Sequence, residues 1–160
     1  MKLILITILF FSGGCVSVQI GPKKSQSAKN IKFKAPPESF VAIDSEDIDH
    51  GWKNGLNNTS ISFRSVCNDG VDPTLDSIQQ SLLVGLEGAQ IQRSQRVPFN
   101  DREALNSVVT GKMDGILTKL EFMILKKNNC TYTISYIALE KTFDRDVGIF
   151  KNFLRTFEAP

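Results

Sequence analysis

The chain of 160 residues is poor in the residues that carry most enzyme chemistry. It holds one histidine, one tryptophan, two tyrosines and three cysteines. With His50 alone, a nucleophilic Ser or Cys elsewhere has a single imidazole to serve as its base. No two cysteines stand as C-x-x-C, so a dithiol redox motif is excluded. No glycine-rich phosphate loop and no dinucleotide fingerprint appears. Nor is there an apolar run of the roughly 20 residues that a membrane-spanning helix needs. The longest, Leu3 to Phe11, is broken only by Thr7 and is about half that length.

What the start does contain is an order of segments. Lys2 precedes the apolar stretch, and Ser12, Gly13 and Gly14 follow it, which is the layout of a secretory signal. Cys15 comes directly after these small residues, and here the chain resembles the lipobox of bacterial lipoproteins, with Ser12 where leucine is usual. The resemblance implies cleavage before Cys15, acylation of its thiol, and a stable anchor of two or three acyl chains at about 0.8 kcal/mol per buried methylene. Val16 stands in place of the aspartate of inner-membrane retention, which favours the outer membrane, facing the periplasm.

Residues 15–38 carry Lys23, Lys24, Lys29, Lys32 and Lys34 and no acid before Glu38. This composition reads as a solvated tether after a signal peptide of residues 1–14. From Ser39 onward 13 Lys and Arg face 16 Asp and Glu, a balance of −3, so the folded part offers no basic surface for nucleic acid.

Residues 39–160 suffice for a single domain with one core. In the stretch from Val71, Asp72 is placed as a helix cap with Pro73 at the first helical position. Leu75, Ile78, Leu82, Leu83 and Leu86 form an apolar stripe, and Gly88 a stop. A second helix follows Thr142, with Phe143, Val147, Phe150, Leu154 and Phe157 along one face, a stripe that reads as core. Between them the apolar period is two. Asp114-Gly115 and the run Lys126 to Asn129 are hairpin turns in a meander whose members include Ile116, Thr118, Leu120, Phe122 and Ile124 on one face and Tyr132, Ile134 and Tyr136 on another. With further strands around Val41, Ser60 and Ile91, the fold class is α+β: a central antiparallel sheet of about six strands with two main helices.

From Gly51 to Phe157 the chain also resembles a group of small lipoproteins of predatory and soil deltaproteobacteria. The matching pieces are Trp52-Lys53-Asn54, Ile61 to Ser65 with Cys67, Arg102-Glu103-Ala104, Asp114-Gly115, and Lys126 to Tyr132. Their layout is in turn similar to the PsbP/Mog1-like α/β/α sandwich. That resemblance implies an accessory or binding protein with no shared catalytic site and no cofactor, although fold alone says little of function.

The remaining candidates are weighed residue by residue. Asp44, Glu46, Asp47, Asp49 and His50 lie together, but their spacing matches neither an EF-hand loop nor a histidine-rich zinc motif, and they read as a solvated acidic loop with no metal. Glu103, Asp114 and Glu121 would make a glycosidase-like pair only if the fold brought two of them within about 10 Å. Once Cys15 is acylated, Cys67 and Cys130 are an even pair in an exported chain, at the end of one strand and the start of another, and are read as a structural disulfide. Trp52 is a core plug or, if exposed, a partner contact. The sequence therefore points to a non-catalytic binding or accessory module, tied to the membrane through Cys15, with an envelope protein as partner. The alternative is handling of a lipid or small apolar ligand, which requires an apolar cavity of about 300 Å³ or more.

Overall fold

The computed structural model describes residues 26–67 and 70–160. The expected signal peptide and Cys15 lie outside the described residues.

Seven strands run in chain order as β1 (Val41–Ile43), β2 (His50–Asn54), β3 (Thr59–Cys67), β4 (Glu87–Phe99), β5 (Arg102–Met113), β6 (Ile116–Lys127) and β7 (Cys130–Leu139). Helix α1 (Leu75–Leu83) separates β3 from β4, and α2 (Phe143–Thr156) follows β7 after one turn of 3-10 helix. All pairings are antiparallel, and the spatial order is β1-β2-β3-β7-β6-β5-β4. The sheet exceeds the six expected strands because His50–Asn54, too short and mixed to show a period, pairs with both β1 and β3.

The four-stranded meander is set by its turns. Asn100-Asp101, Asp114-Gly115 and Asn128-Asn129 each join two strands through two residues of positive φ, from 51° to 78°. Such turns carry the twist of the flanking strands, and Asn, Asp and Gly adopt them at low cost.

Alternation along the strands divides the core into two layers. Leu120, Phe122 and Ile124 of β6 face Leu75 of α1, together with Leu105 and Val109. Met123 and Leu125 face the other way, toward Phe150, Phe153, Leu154 and Phe157 of α2 and its end, with Ile61, Phe63, Tyr132, Ile134 and Tyr136. One helix on each face gives a three-layer sandwich. The phenylalanine stripe of α2 is buried as its spacing predicts, with Phe153 added to it.

Three sequence expectations change. The cap of α1 is Thr74, whose hydroxyl accepts from the Ser77 amide at 3.1 Å; Asp72 lies outside the helix and pairs with Lys126. Helix α1 ends at Leu83, and Gly88 sits inside β4 with φ +63°. Ile116, at the mouth of its hairpin, is mostly exposed.

The largest correction concerns the tether. From Gln26 the chain lies on the domain, with antiparallel bridges Gln26↔Cys67 and Lys32↔Glu158. The Ala28 amide donates to Ser65 Oγ at 2.8 Å, and the Lys34 amide to Thr156 Oγ1 at 3.1 Å. Lys29, Lys32 and Lys34 are exposed, while Ala28, Ile31 and Phe33 pack on the α2-side core. Alternation within a polar stretch thus hides an arm that belongs to the folded unit.

Candidate functional site

The arm crosses the α2 side of the sheet and inserts one ring. Phe33 lies 5.1 to 5.9 Å, centroid to centroid, from His50, Trp52, Phe63 and Phe153. Such tilted and edge-on contacts add about 0.5–1.5 kcal/mol each beyond burial. Trp52 is only 8% exposed, so the residue weighed as a partner contact is part of this cluster and not of the surface. His50 stacks on Trp52, with ring planes 13° apart.

One cavity opens beside the inserted ring, and a second lies further along the arm. One, of about 440 Å³, lies toward β2 and is edged by Asn30, Phe33, Asp49 and His50. The other, also about 440 Å³, runs between the arm at Ala35-Pro36-Pro37 and the α2 residues Ile149 and Phe153, with Lys34, Asn152, Arg155 and Thr156 at its polar margin. A larger cavity of about 620 Å³ sits beside the Cys67–Cys130 end of β3 and β7, among Asp72, Arg102, Lys126, Lys127 and the β6–β7 turn. Its lining is mainly polar and its cations are partly engaged: Lys126 with Asp72 and the Pro73 carbonyl, Lys127 with the Ala159 carbonyl. The groove beside Pro36-Pro37 is the apolar one, and it exceeds the size that ligand handling requires.

Glu103, Asp114 and Glu121, the acids weighed as a catalytic pair, are placed apart on the sheet. Asp49 accepts from Ser27 Oγ at 2.7 Å, from the Ser65 amide at 2.8 Å and from Ser65 Oγ at 2.5 Å. Glu121 is buried and pairs with Arg93 Nη2 and Asn106 Nδ2, both at 3.2 Å. Glu103 is bound to Arg96, which also holds Asp76, and these hydrogen bonds and charges raise the Arg96 pKa. Asp114 occupies the opposite end of β5, in its hairpin turn, so Glu103 and Asp114 do not converge. Among the described residues no three His, Cys, Asp or Glu side chains gather as a metal site.

Two buried polar features escaped the sequence reading. Asp146, in the first turn of α2, accepts from Thr59 Oγ1 at 2.6 Å, from Asn54 Nδ2 at 3.1 Å and from Asn57 Nδ2 at 3.0 Å. Three neutral donors and the positive end of the helix dipole thereby solvate a buried charge and tie the β2–β3 turn to α2. On β7, both tyrosine rings are fully buried. The Tyr136 hydroxyl donates to the Phe143 carbonyl at 2.8 Å, and burial, then the nearby Asp146 charge, pushes its pKa up. The Tyr132 hydroxyl has no partner among the described residues; burial and then Asp49 raise its pKa as well.

Cys67 and Cys130 are directly opposite in the β3–β7 register and are joined by a disulfide, their Cα atoms 4.1 Å apart. Both backbone hydrogen bonds of Cys67 go to Gln26 on its other side. It therefore forms a non-hydrogen-bonded pair with Cys130, the pair type in which side chains come closest.

No protein-family model matches the chain, and no curated protein does. Solved structures do match its backbone. The solution structure of cyanobacterial PsbP (CyanoP) from Synechocystis superposes with a TM-score of 0.63 at 9% identity, covering 89% of this chain and 96% of that one. The fold is PsbP-like. LpqN of Mycobacterium tuberculosis, described as involved in cell envelope biogenesis, gives 0.59 at 11% identity over 86% of this chain and 87% of its own. A Bacteroides thetaiotaomicron protein gives 0.51 at 14%, over 81% and 45% respectively. At such identities the likeness is one of fold, and it carries no residue roles. No helix among the described residues is long and apolar enough to cross a membrane.

Proposed function

We propose that this protein is a non-catalytic binding or accessory module of the cell envelope, anchored by acylated Cys15 in the outer membrane and facing the periplasm. The observation that carries the reading is the folded arm. Only 11 positions separate Cys15 from Gln26, where the chain joins the sheet beside the disulfide. At no more than about 3.6 Å per residue, that link holds the domain within about 40 Å of the bilayer. The anchor thus sets where the module works, and its partner is an envelope component within reach. LpqN, described as involved in cell envelope biogenesis and similar in fold, supports this reading.

Substituting Cys15→Ser tests the anchor. The variant is expected in the soluble periplasmic fraction, or uncut at the inner membrane, without labelled palmitate. Wild-type labelling and outer-membrane fractionation of the variant would remove the lipoprotein reading.

A second reading is favoured by one observation, the apolar groove of about 440 Å³ between the arm and α2. In it the module handles a lipid or small apolar ligand for an envelope transport system.

A further inference from the structure

We infer that this groove takes a single acyl chain bearing an anionic head group, with Phe153 and Ile149 against the chain and Lys34 and Arg155 at the head. The inference rests on the ligand-handling reading and adds a chemical class to it.

The groove is built to stay open. One wall is Ala35-Pro36-Pro37, whose prolines have fixed φ and lack the N–H groups that would otherwise have to be satisfied against an apolar ligand. The opposite wall is α2, where Phe153 is buried and Ile149 is half-buried on the core margin. The Lys34 amide bonded to Thr156 Oγ1 pins the arm to the helix end, so the walls are held at a fixed separation. Little ordering of the protein is then needed for a chain to enter.

Charge at the mouth selects the head group. Lys34 and Arg155 both line the groove and both are exposed. Arg155 donates to Asn152 Oδ1, a neutral acceptor, and Lys34 has no carboxylate partner among the described residues. No acid lines the groove. Glu158 pairs with Lys32, Asp144 and Asp146 stand at the opposite end of α2, and Glu38 follows the far proline. The C-terminal end of α2 opposes an anion with about half a negative charge. Two full positive charges outweigh it. A carboxylate or phosphate at the mouth is therefore favoured, and a cationic head is repelled.

The test uses the full chain in phosphatidylcholine vesicles with a diazirine-bearing palmitate as photoprobe, and mass mapping of the labelled peptides. Labelling is expected within residues 34–37 and 149–156, suppressed by excess palmitate but not by hexadecyltrimethylammonium. The double substitution Lys34→Glu with Arg155→Glu, on exposed positions, is expected to weaken probe affinity about tenfold or more, as loss of charge-assisted hydrogen bonds does. Ile149→Glu, which places an acid on the wall, is expected to abolish groove labelling. Equal competition by palmitate, hexadecanol and the cationic amphiphile would overturn the anionic assignment and leave the apolar-ligand reading standing. No groove labelling in a folded, disulfide-bonded wild type would overturn both. Neither result bears on Cys15, whose acylation is read by fractionation.

Discussion

At the residue scale, the two tyrosines make a controlled pair. They sit four positions apart on β7, face the same layer and are equally buried, yet only Tyr136 has a hydrogen-bond partner. Tyr136→Phe is expected to cost about 1 kcal/mol, the net worth of a typical hydrogen bond, whereas Tyr132→Phe removes an unpartnered buried hydroxyl and is expected to be neutral or stabilising. Thermal unfolding of the two variants decides it, and equal destabilisation would show that Tyr132 has a partner after all. The pair also reports on pH. Both phenols have folded-state pKa values raised above 10.0 by burial. A raised pKa on a group neutral at low pH gives stability that is full below the unfolded value and lost as pH climbs past it. The fold should therefore weaken from about pH 10 upward. Since the chain has no other tyrosine, phenolate absorbance should rise together with loss of circular dichroism. Phenolate appearing in a still-folded protein would refute the burial.

At the scale of elements, α2 supplies three buried phenylalanines, Phe143, Phe150 and Phe153, to one layer of the core. Phe150 is 0% exposed and stacks on Tyr136 at 5.7 Å. Phe150→Ala is expected to cost about 3–5 kcal/mol, the usual result for truncating a buried ring. An unchanged melting temperature would mean that the helix does not pack as described. This stripe was legible beforehand because all its members lie on one helix and repeat at three and four residues. The meander was legible for a similar reason, since Asp114-Gly115 demands positive φ locally. What could not be read depended on partners remote in sequence. Phe33 is one aromatic residue among lysines, and only Trp52, Phe63 and Phe153 make it a core residue. The role of Asp146 carries no local signal, because its donors Asn54, Asn57 and Thr59 lie 87 to 92 positions away. The groove joins residues 34–37 to 149–156, and no period links those stretches. Cys67–Cys130 fell between these cases: strand ends were visible in the sequence, and pairing followed once the ends met.

At the scale of the whole molecule, the disulfide is expected to matter most when it is absent. It closes a loop of 63 residues, worth about 4 kcal/mol of denatured-chain entropy in the loop-closure model. Reduction should lower stability by something near that amount in denaturant titrations. A shift within error would show that the sheet alone holds those strands.

The order of the strands gives that bond a further meaning, in time. β4 to β7 are sequential hairpins, and so are β1 to β3, but the two groups touch only where β3 lies along β7. Every contact across that boundary joins residues more than 60 positions apart. Pairing so remote must await the closing of a long loop, and such contacts slow folding. The meander can therefore zip up locally while the first three strands search for its free edge. In an oxidised chain that search is already over, because Cys67 begins next to Cys130. Stopped-flow refolding should then show the reduced chain forming meander structure early and docking β3 late, with the late phase lost when the bond is intact. The moment of thiol oxidation thus becomes the moment at which β3 is committed to the free edge of the meander.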